Sequence, residues 1–286
     1  MILETKKELK LMANTLRMDI VRMIAEAGSG HPAGPLGMSE IFSVLFFHEM
    51  KYDLARPDWS NRDRIVLSNG HVCPILYASM ARAGYFPVEE LMTLRKLGSR
   101  LQGHPSRVLM PSIENSSGPL GQGMAIASGI ALANRLDSRL GRVYCMSSDG
   151  EHNEGSTWEA ILFASKFKLD NMVVIIDRNY IQQDGRSEEI MPLDPFDEKY
   201  RAFGWHAINI DGHDIDQIIK ALDEARKTKG KPTVIIANTV PGKGVAFMER
   251  FYEWHGKPPT REQAEKALLG LQEERKKLEE MEEVKV

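Results

Sequence analysis

Residues 148–184 read SDGEHNEGSTWEAILFASKFKLDNMVVIIDRNYIQQD. An apolar run at 143–146 leads into this stretch and predicts a strand. The chain then turns at Asp149-Gly150 and enters an amphipathic segment at 157–167, and a second apolar run at 172–176 predicts the next buried strand. This is a βαβ unit with a polar group at the C-terminal end of each strand. In a parallel sheet those ends lie side by side, and ligands bind just beyond them. Asp149 and Asn179 are therefore expected to face one another. One carboxylate and one amide oxygen suit a hard cation that keeps its other positions for phosphate oxygens, water or a backbone carbonyl, which is how Mg²⁺ behaves. Gly150 lets the backbone approach a phosphate, and the helix start after it supplies N–H donors. An Asp-Gly turn or an Asp-Arg-Asn loop alone is usually only a turn or a loop. The pair on consecutive strand ends points instead to a metal–diphosphate site.

The remainder of the chain is an ordinary globular sequence. Its 286 residues are 42% apolar, with a net charge of −3. That is enough for one large α/β domain or two small ones, and it gives no sign of a nucleic-acid partner. No apolar run has the length of a membrane span, and the charged N-terminal stretch lacks the apolar core of a secretory leader. The two cysteines, Cys73 and Cys145, sit in apolar surroundings and form no CxxC pattern. They read as small core residues in a reducing, cytoplasmic setting.

In chain order, Leu9, Met12, Leu16, Ile20, Met23 and Ala27 predict a helix that stops before His31-Pro32. Residues 38–50 predict a second helix with Ile41, Val44, Leu45 and His48 on one side, His48 being structural. A strand is expected at 64–67, helical segments at 87–96 and 124–136, a polar loop with a short helix at 192–203, and strands at 206–210 and 233–237. Asp214 with Gln217, and Thr260 with Gln263, mark capping boxes at the last two helices. The final helix carries a charged end, read as a solvated face with pairs such as Glu273 and Lys277. The expected division is a metal- and diphosphate-binding unit at 1–257 and a charged helical extension at 258–286. The glycines of GSGHP follow a helix rather than a strand, which excludes a dinucleotide-binding loop. Four histidines lie in loops: His31 in GSGHPAG, His71 in LSNGHVCP, His104 in LQGHP and His255 in WHG. A Gly-rich loop, SSGPLGQG at 116–123, precedes a helix.

Taken together and in this order, these motifs resemble transketolase, a thiamine-diphosphate enzyme. DGEHNEG followed by DRNYIQQDG is similar to its cofactor motif, with Ser148 where the first Gly is usual. AGSGHPAG, LSNGHVCPILYA, GHP and SGPLGQG resemble its histidine and cofactor loops, with Val72-Cys73-Pro74 where small residues are usual. The resemblance implies a mostly parallel α/β sheet flanked by helices, the diphosphate-binding fold of this class. It implies that Asp149, Asn179 and the Ile181 carbonyl bind Mg²⁺ or another divalent cation. Gly150, Glu151 and His71 line the diphosphate, and the backbone of Gly118-Pro119-Leu120 holds the aminopyrimidine. Glu154 lies at a domain interface, or else serves as a helix N-terminal carboxylate. His31, His104 and His255 meet sugar hydroxyls and a developing alkoxide, with His255 also touching the cofactor.

The match runs from about Leu9 to Gly256 and corresponds to the diphosphate-binding half of a transketolase. The implied protein is the N-terminal subunit of a split enzyme. Its C-terminal partner brings the pyrimidine-binding domain and the cofactor-activating glutamate, in an α2β2 heterotetramer. The implied reaction transfers a two-carbon ketol unit between sugar phosphates, such as xylulose 5-phosphate and ribose 5-phosphate, in the pentose phosphate pathway. The alternatives are a deoxyxylulose-phosphate synthase-like or unusual-sugar subunit, and a non-catalytic cofactor-binding domain. A nicotinamide dehydrogenase is disfavoured by the absence of a βαβ glycine fingerprint.

Overall fold

The computed structural model describes residues 2–286. The chain opens with α1 (Lys6–Ala27), where Thr5 and Glu8 form a capping box and Gly28 closes the end at φ 59°. Short helices α2 (Ala33–Gly37) and α3 (Ser39–Val44) follow. The helix expected over 38–50 does not continue as an α-helix. Leu45–Glu49 is a π-helical turn, closed by the Met50 N–H on the Leu45 carbonyl at 2.9 Å. A single wider turn, with i→i+5 bonds in place of i→i+4, is too short to leave a period readable in the sequence. His48 takes a structural place there, its Nδ1 lying 3.2 Å from the Leu3 carbonyl oxygen.

Strand β1 (Arg64–Leu67) leads to α4 (Cys73–Ala83), which has Pro74 in its first turn, where the missing N–H leaves no bond unmade. The segment 87–96 is shorter than expected, a 3-10 helix at Val88–Thr93. Leu94 turns extended and Arg95 takes a left-handed φ of 58°, which ends it. Then come α5 (Gln122–Leu136), β2 (Val143–Ser148), α6 (Gly155–Lys166) and β3 (Met172–Arg178). A small hairpin, β4 (Ile181–Gln182) and β5 (Gly185–Arg186), precedes α7 (Ser187–Ile190) and α8 (Phe196–Ala202). The chain finishes with β6 (His206–Asp211), α9 (Ile215–Lys227), β7 (Thr233–Asn238) and α10 (Arg261–Glu279). Asp214 caps α9 through the N–H groups of Asp216 and Gln217. The box is only half formed, because the Gln217 side-chain oxygen Oε1 accepts from the Asp211 N–H instead. The Thr260–Gln263 box is complete.

The main sheet is wholly parallel, in the order β1-β2-β3-β7-β6. Side chains alternate across it. Tyr144, Met146, Val173, Ile175 and Ile235 face one apolar layer, which holds α1, α3, α4 and α9. Val143, Cys145, Val174, Ile176 and Val234 face another, which holds α5, α6 and α8. Both faces are buried, as the unbroken apolar strands require. Helix α10 lies along α1, burying Ala264, Ala267 and Leu271. Asn14 donates to the Leu271 carbonyl at 3.1 Å, and Arg275 donates to Thr15 Oγ1 at 3.0 Å. The charged end of α10 pairs Arg275 with Glu279. No helix among the described residues is long and apolar enough to cross a membrane.

One buried polar network spans the layer beneath the sheet's C-terminal edge. Arg17 donates to both oxygens of Glu40, at 2.7 and 2.6 Å, and His213 Nδ1 lies 3.0 Å from Glu40 Oε2. His213 Nε2 accepts from the Val240 N–H at 2.8 Å. Burial alone would push the pKa of the Glu40 carboxyl up, but the Arg17 charge and the His213 contact outweigh it, bringing Glu40 down to about 2. A carboxyl lowered by folding contributes stability above its unfolded value, near 4.5, that is lost as pH falls toward 2. Glu40→Ala is expected to lower stability at pH 7 by about 3–5 kcal/mol, because it leaves Arg17 buried and uncompensated. Denaturant melts at pH 7, 5 and 2.5 check this: the gap between the two proteins should shrink as the pH falls below 4.5. A gap that stays constant with pH would remove the pairing from the account.

Candidate functional site

Register explains how residues distant in sequence meet. Ser148 pairs with Asp177 and Asp177 with Ala237, so the chain leaves β2, β3 and β7 at one level of the sheet. Asp149 lies just past β2 and Asn179 just past β3. Both line a cavity of about 320 Å³ together with Gly150, Glu151, Ile181, Gln182 and Gln183. Gly118 and Leu120 form another part of the wall, and all four loop histidines, His31, His71, His104 and His255, line it as well. A larger hollow of about 770 Å³ lies on the other side of Asn179 and Ile181. Its charges are mixed (Arg186, Lys243 and Arg250 with Asp184, Glu189 and Asp211), and it holds none of the four loop histidines.

The polar end of the cavity is firmly built. Asp149 Oδ1 accepts from the Gly150 N–H at 2.7 Å. Its Oδ2 accepts from the Tyr180 N–H at 2.8 Å and Ser187 Oγ at 3.2 Å, and it faces Arg178 Nη1 at 3.3 Å. Asn179 donates to Asp177 Oδ2 at 2.6 Å, and its Oδ1 accepts from the Ile181 N–H at 3.0 Å. Thr239 donates to the other oxygen of Asp177. This fixes which end of the Asn179 amide is oxygen. Burial pushes the Asp149 carboxyl up to about 6, against the pull of Arg178. Burial also pushes Asp177 up to about 7, with the nearby Asp149 charge adding to the effect. The site is short of positive charge.

Among the described residues, no group of three His, Cys, Asp or Glu side chains is placed to hold a metal. The available donors are one carboxylate, one amide oxygen and the backbone near Ile181. That set fits a divalent cation that completes its shell with phosphate oxygens, and does not fit a site closed by protein alone.

The histidines face each other at the other end. Ring centroids are 5.1 Å apart for His31 and His71, 5.6 Å for His31 and His255, and 5.2 Å for His71 and His255. Burial lowers all four: His71 falls well below the ordinary imidazole value, and His31 falls to about 4 with help from His255, Arg95 and His104. They are neutral imidazoles at pH 7, each with one donor and one acceptor. His31 Nδ1 is buried with no partner among the described residues.

Of the expected site residues, Pro119 and Glu154 do not line this cavity. Glu151 lines the cavity, and its carboxylate is held by neighbouring donors. It accepts from Ser68 Oγ, from Ser147 Oγ at 2.6 Å and from the Gly121 N–H at 2.7 Å. These bonds tie the Gly-rich loop to the end of β1 and to β2. Pro119 is exposed and outside the lining. Glu154 is the exposed N-cap of α6, beside Gly121, and makes no capping bond. Gly123 must be glycine, because a Cβ there would come within 2.4 Å of Ser68 Cα. Gln182, Gln183 and the Asp177–Thr239 pair were missed by sequence reasoning. The run IQQD was in view, but nothing in it indicates which side chains turn inward.

A parallel sheet whose strand ends bring Asp149, Asn179 and four neutral histidines into one cavity fits a thiamine-diphosphate-binding domain. Comparison with known proteins agrees. Residues 8–283 match the family model described as "Transketolase, thiamine diphosphate binding domain", and the chain belongs to that family. It is 41% identical over 271 residues to the 6-deoxy-6-sulfo-D-fructose transketolase subunit of Clostridium sp. (strain MSTE9), covering 95% of this chain and 98% of that one. It is 43% identical to human transketolase over 91% of this chain, but spans only 41% of the human protein. The Campylobacter jejuni transketolase structure superposes with a TM-score of 0.86 at 36% identity, covering 94% of this chain and 42% of that one.

Proposed function

We propose that this chain is the cofactor-binding N-terminal subunit of a two-chain transketolase, acting in the cytoplasm. The observation that carries the reading is the meeting of Asp149, Asn179 and four neutral histidines in one cavity. Asp149, Asn179 and the Ile181 carbonyl hold Mg²⁺. Gly150, His71 and the backbone of Glu151 receive the diphosphate, and the loop at 118–120 positions the aminopyrimidine side. When bound, thiamine diphosphate supplies the nucleophilic carbon and the electron sink for cleaving a ketose C2–C3 bond. His31, His104 and His255 orient the sugar hydroxyls and donate to the oxygen on which charge develops, each contributing up to about 3 kcal/mol. Their neutrality lets each imidazole donate or accept without carrying a permanent charge beside the substrate. Residues 1–257 form the binding unit, and 258–286 are its helical extension, docked on α1.

A second chain with a pyrimidine-binding domain completes the site in an α2β2 assembly. The face of α5 and α6 suits that contact: Ile126, Leu162, Phe163 and Phe167 are exposed there. The sugar is read as a ketose phosphate, such as xylulose 5-phosphate, with ribose 5-phosphate as acceptor. The Clostridium relative, of the same length and named for a sulfo-sugar, favours a second reading in which the donor carries a sulfonate. Donor comparison on the assembled enzyme decides between them. The specificity constant for xylulose 5-phosphate should exceed that for 6-deoxy-6-sulfofructose at least about tenfold, a difference of ~1.4 kcal/mol in transition-state binding. The opposite order would transfer the assignment to the sulfo-sugar.

A further inference from the structure

Arg95 stands out because the sequence gives it no role and its surroundings are unusual. It is a half-buried guanidinium in a left-handed backbone conformation, φ 58°, which a non-glycine residue keeps only when its neighbours enforce it. Here the Arg95 N–H donates to the Leu101 carbonyl at 2.9 Å and closes the turn. The adjacent cations Lys96 and Arg100 both pair with carboxylates, Glu26 and Glu90. Arg95 has no carboxylate in reach among the described residues. Its contacts go instead to two loops that each carry a cavity histidine.

Arg95 Nη1 donates to Ser29 Oγ at 3.1 Å, two residues before His31. Its Nη2 donates to the Gly103 carbonyl at 3.4 Å, next to His104, an oxygen that Cys73 Sγ also approaches at 3.2 Å. The guanidinium lies flat on Gly103: a Cβ there would sit 2.6 Å from Arg95 Cζ. The glycine of Gly-His-Pro is thus explained by the arginine above it. Gly30 passes on the other side, with a Cβ position 3.9 Å from Arg95 Nε. Neither loop has regular structure to fix it, so a planar fork with two separate donors is the tie between them.

We propose that Arg95 is a positioning residue that clamps the His31 loop to the His104 loop, and so sets the spacing of the two histidines that meet the substrate. The proposal rests on the function assigned above. It acts through both imidazoles, and its positive charge also helps, after burial, to keep each of them neutral.

Three variants test it: Arg95→Met, Arg95→Lys and Gly103→Ala. Met removes the fork, Lys keeps the charge but cannot bridge two loops, and the added methyl of Gly103→Ala displaces the guanidinium without altering it. In the assembled enzyme, all three should raise the ketose KM about tenfold, as small displacements of positioning groups do. Thiamine diphosphate affinity should stay within about twofold of wild type, because the clamp lies away from the diphosphate end. A wild-type KM for Arg95→Lys, a silent Gly103→Ala, or a parallel loss of cofactor affinity would each overturn the clamp. A second readout needs no turnover. In ¹H–¹⁵N spectra of the full chain, the imidazole signals of His31 and His104 should move in all three variants while those of His152 and His206 stay. Unmoved signals overturn the clamp. Moved signals in a protein that turns over no ketose would leave the clamp standing and remove the transketolase reading instead.

Discussion

Asp149→Ala should abolish magnesium-dependent binding of thiamine diphosphate by the assembled enzyme, with an affinity loss of at least about 100-fold. Asp149 is the one carboxylate in the proposed metal set, and an amide and a backbone carbonyl cannot replace its charge. The substitution also leaves the Gly150 and Tyr180 N–H groups without their acceptor, and leaves Arg178 with only Glu188 and Asp194. Arg178 is 2% exposed and keeps those two carboxylates, so its charge stays paired while it loses its tie to the end of the cavity. Asp149→Asn separates the two effects. It keeps the side-chain shape and one oxygen, enough for either the Gly150 or the Tyr180 N–H, but removes the charge, and should still lose most of the metal affinity. Titration with Mn²⁺ followed by electron paramagnetic resonance, with and without the cofactor, measures both variants. Wild-type affinity in Asp149→Ala would take the metal away from this residue.

Much of this site was legible in the sequence, for a physical reason. Two apolar runs one helix apart fix a parallel βαβ unit, and a parallel sheet must bring its strand ends together. The meeting of Asp149 and Asn179 follows from that alone. The four histidines were individually weak signals and became a set only through the resemblance of their loops to transketolase. Contacts set by tertiary packing were not legible. Arg95 reaches Ser29 across 66 positions, and Glu40 meets His213 across 173. Neither pair has a local spacing to reveal it. Glu151 shows the complementary failure: its place in the motif is plain from the sequence, but the direction of its carboxylate depends on Ser68 and Gly121, which come from other loops. The π-helical turn at Leu45–Glu49 escaped because a single wider turn is too short to leave a readable period.

The second large effect concerns the chain as a catalyst on its own. It spans 98% of a relative named as a subunit, and about two fifths of human transketolase. Its own residues provide the proposed metal end, with Asp149, and a histidine end, and the other carboxylate lining the cavity, Glu151, is committed to Ser68, Ser147 and Gly121. No free carboxylate remains there to hydrogen-bond the aminopyrimidine, the task that the family resemblance gives to the other domain. Cofactor bound to this chain alone is therefore expected to stay unactivated, with ketol transfer reduced at least about 1,000-fold, corresponding to ~4 kcal/mol of lost transition-state stabilisation. The apolar face of α5 and α6 is the surface on which a partner would bury Phe163 and Ile126.

The decisive measurement is ketol transfer from xylulose 5-phosphate to ribose 5-phosphate, with Mg²⁺ and thiamine diphosphate present, for this chain alone and after mixing with a complementary pyrimidine-binding chain. The expected result is silence alone and turnover on mixing. Turnover by the chain alone would contradict the shared site, and silence in the mixture with cofactor bound and either donor supplied would contradict the transketolase assignment itself.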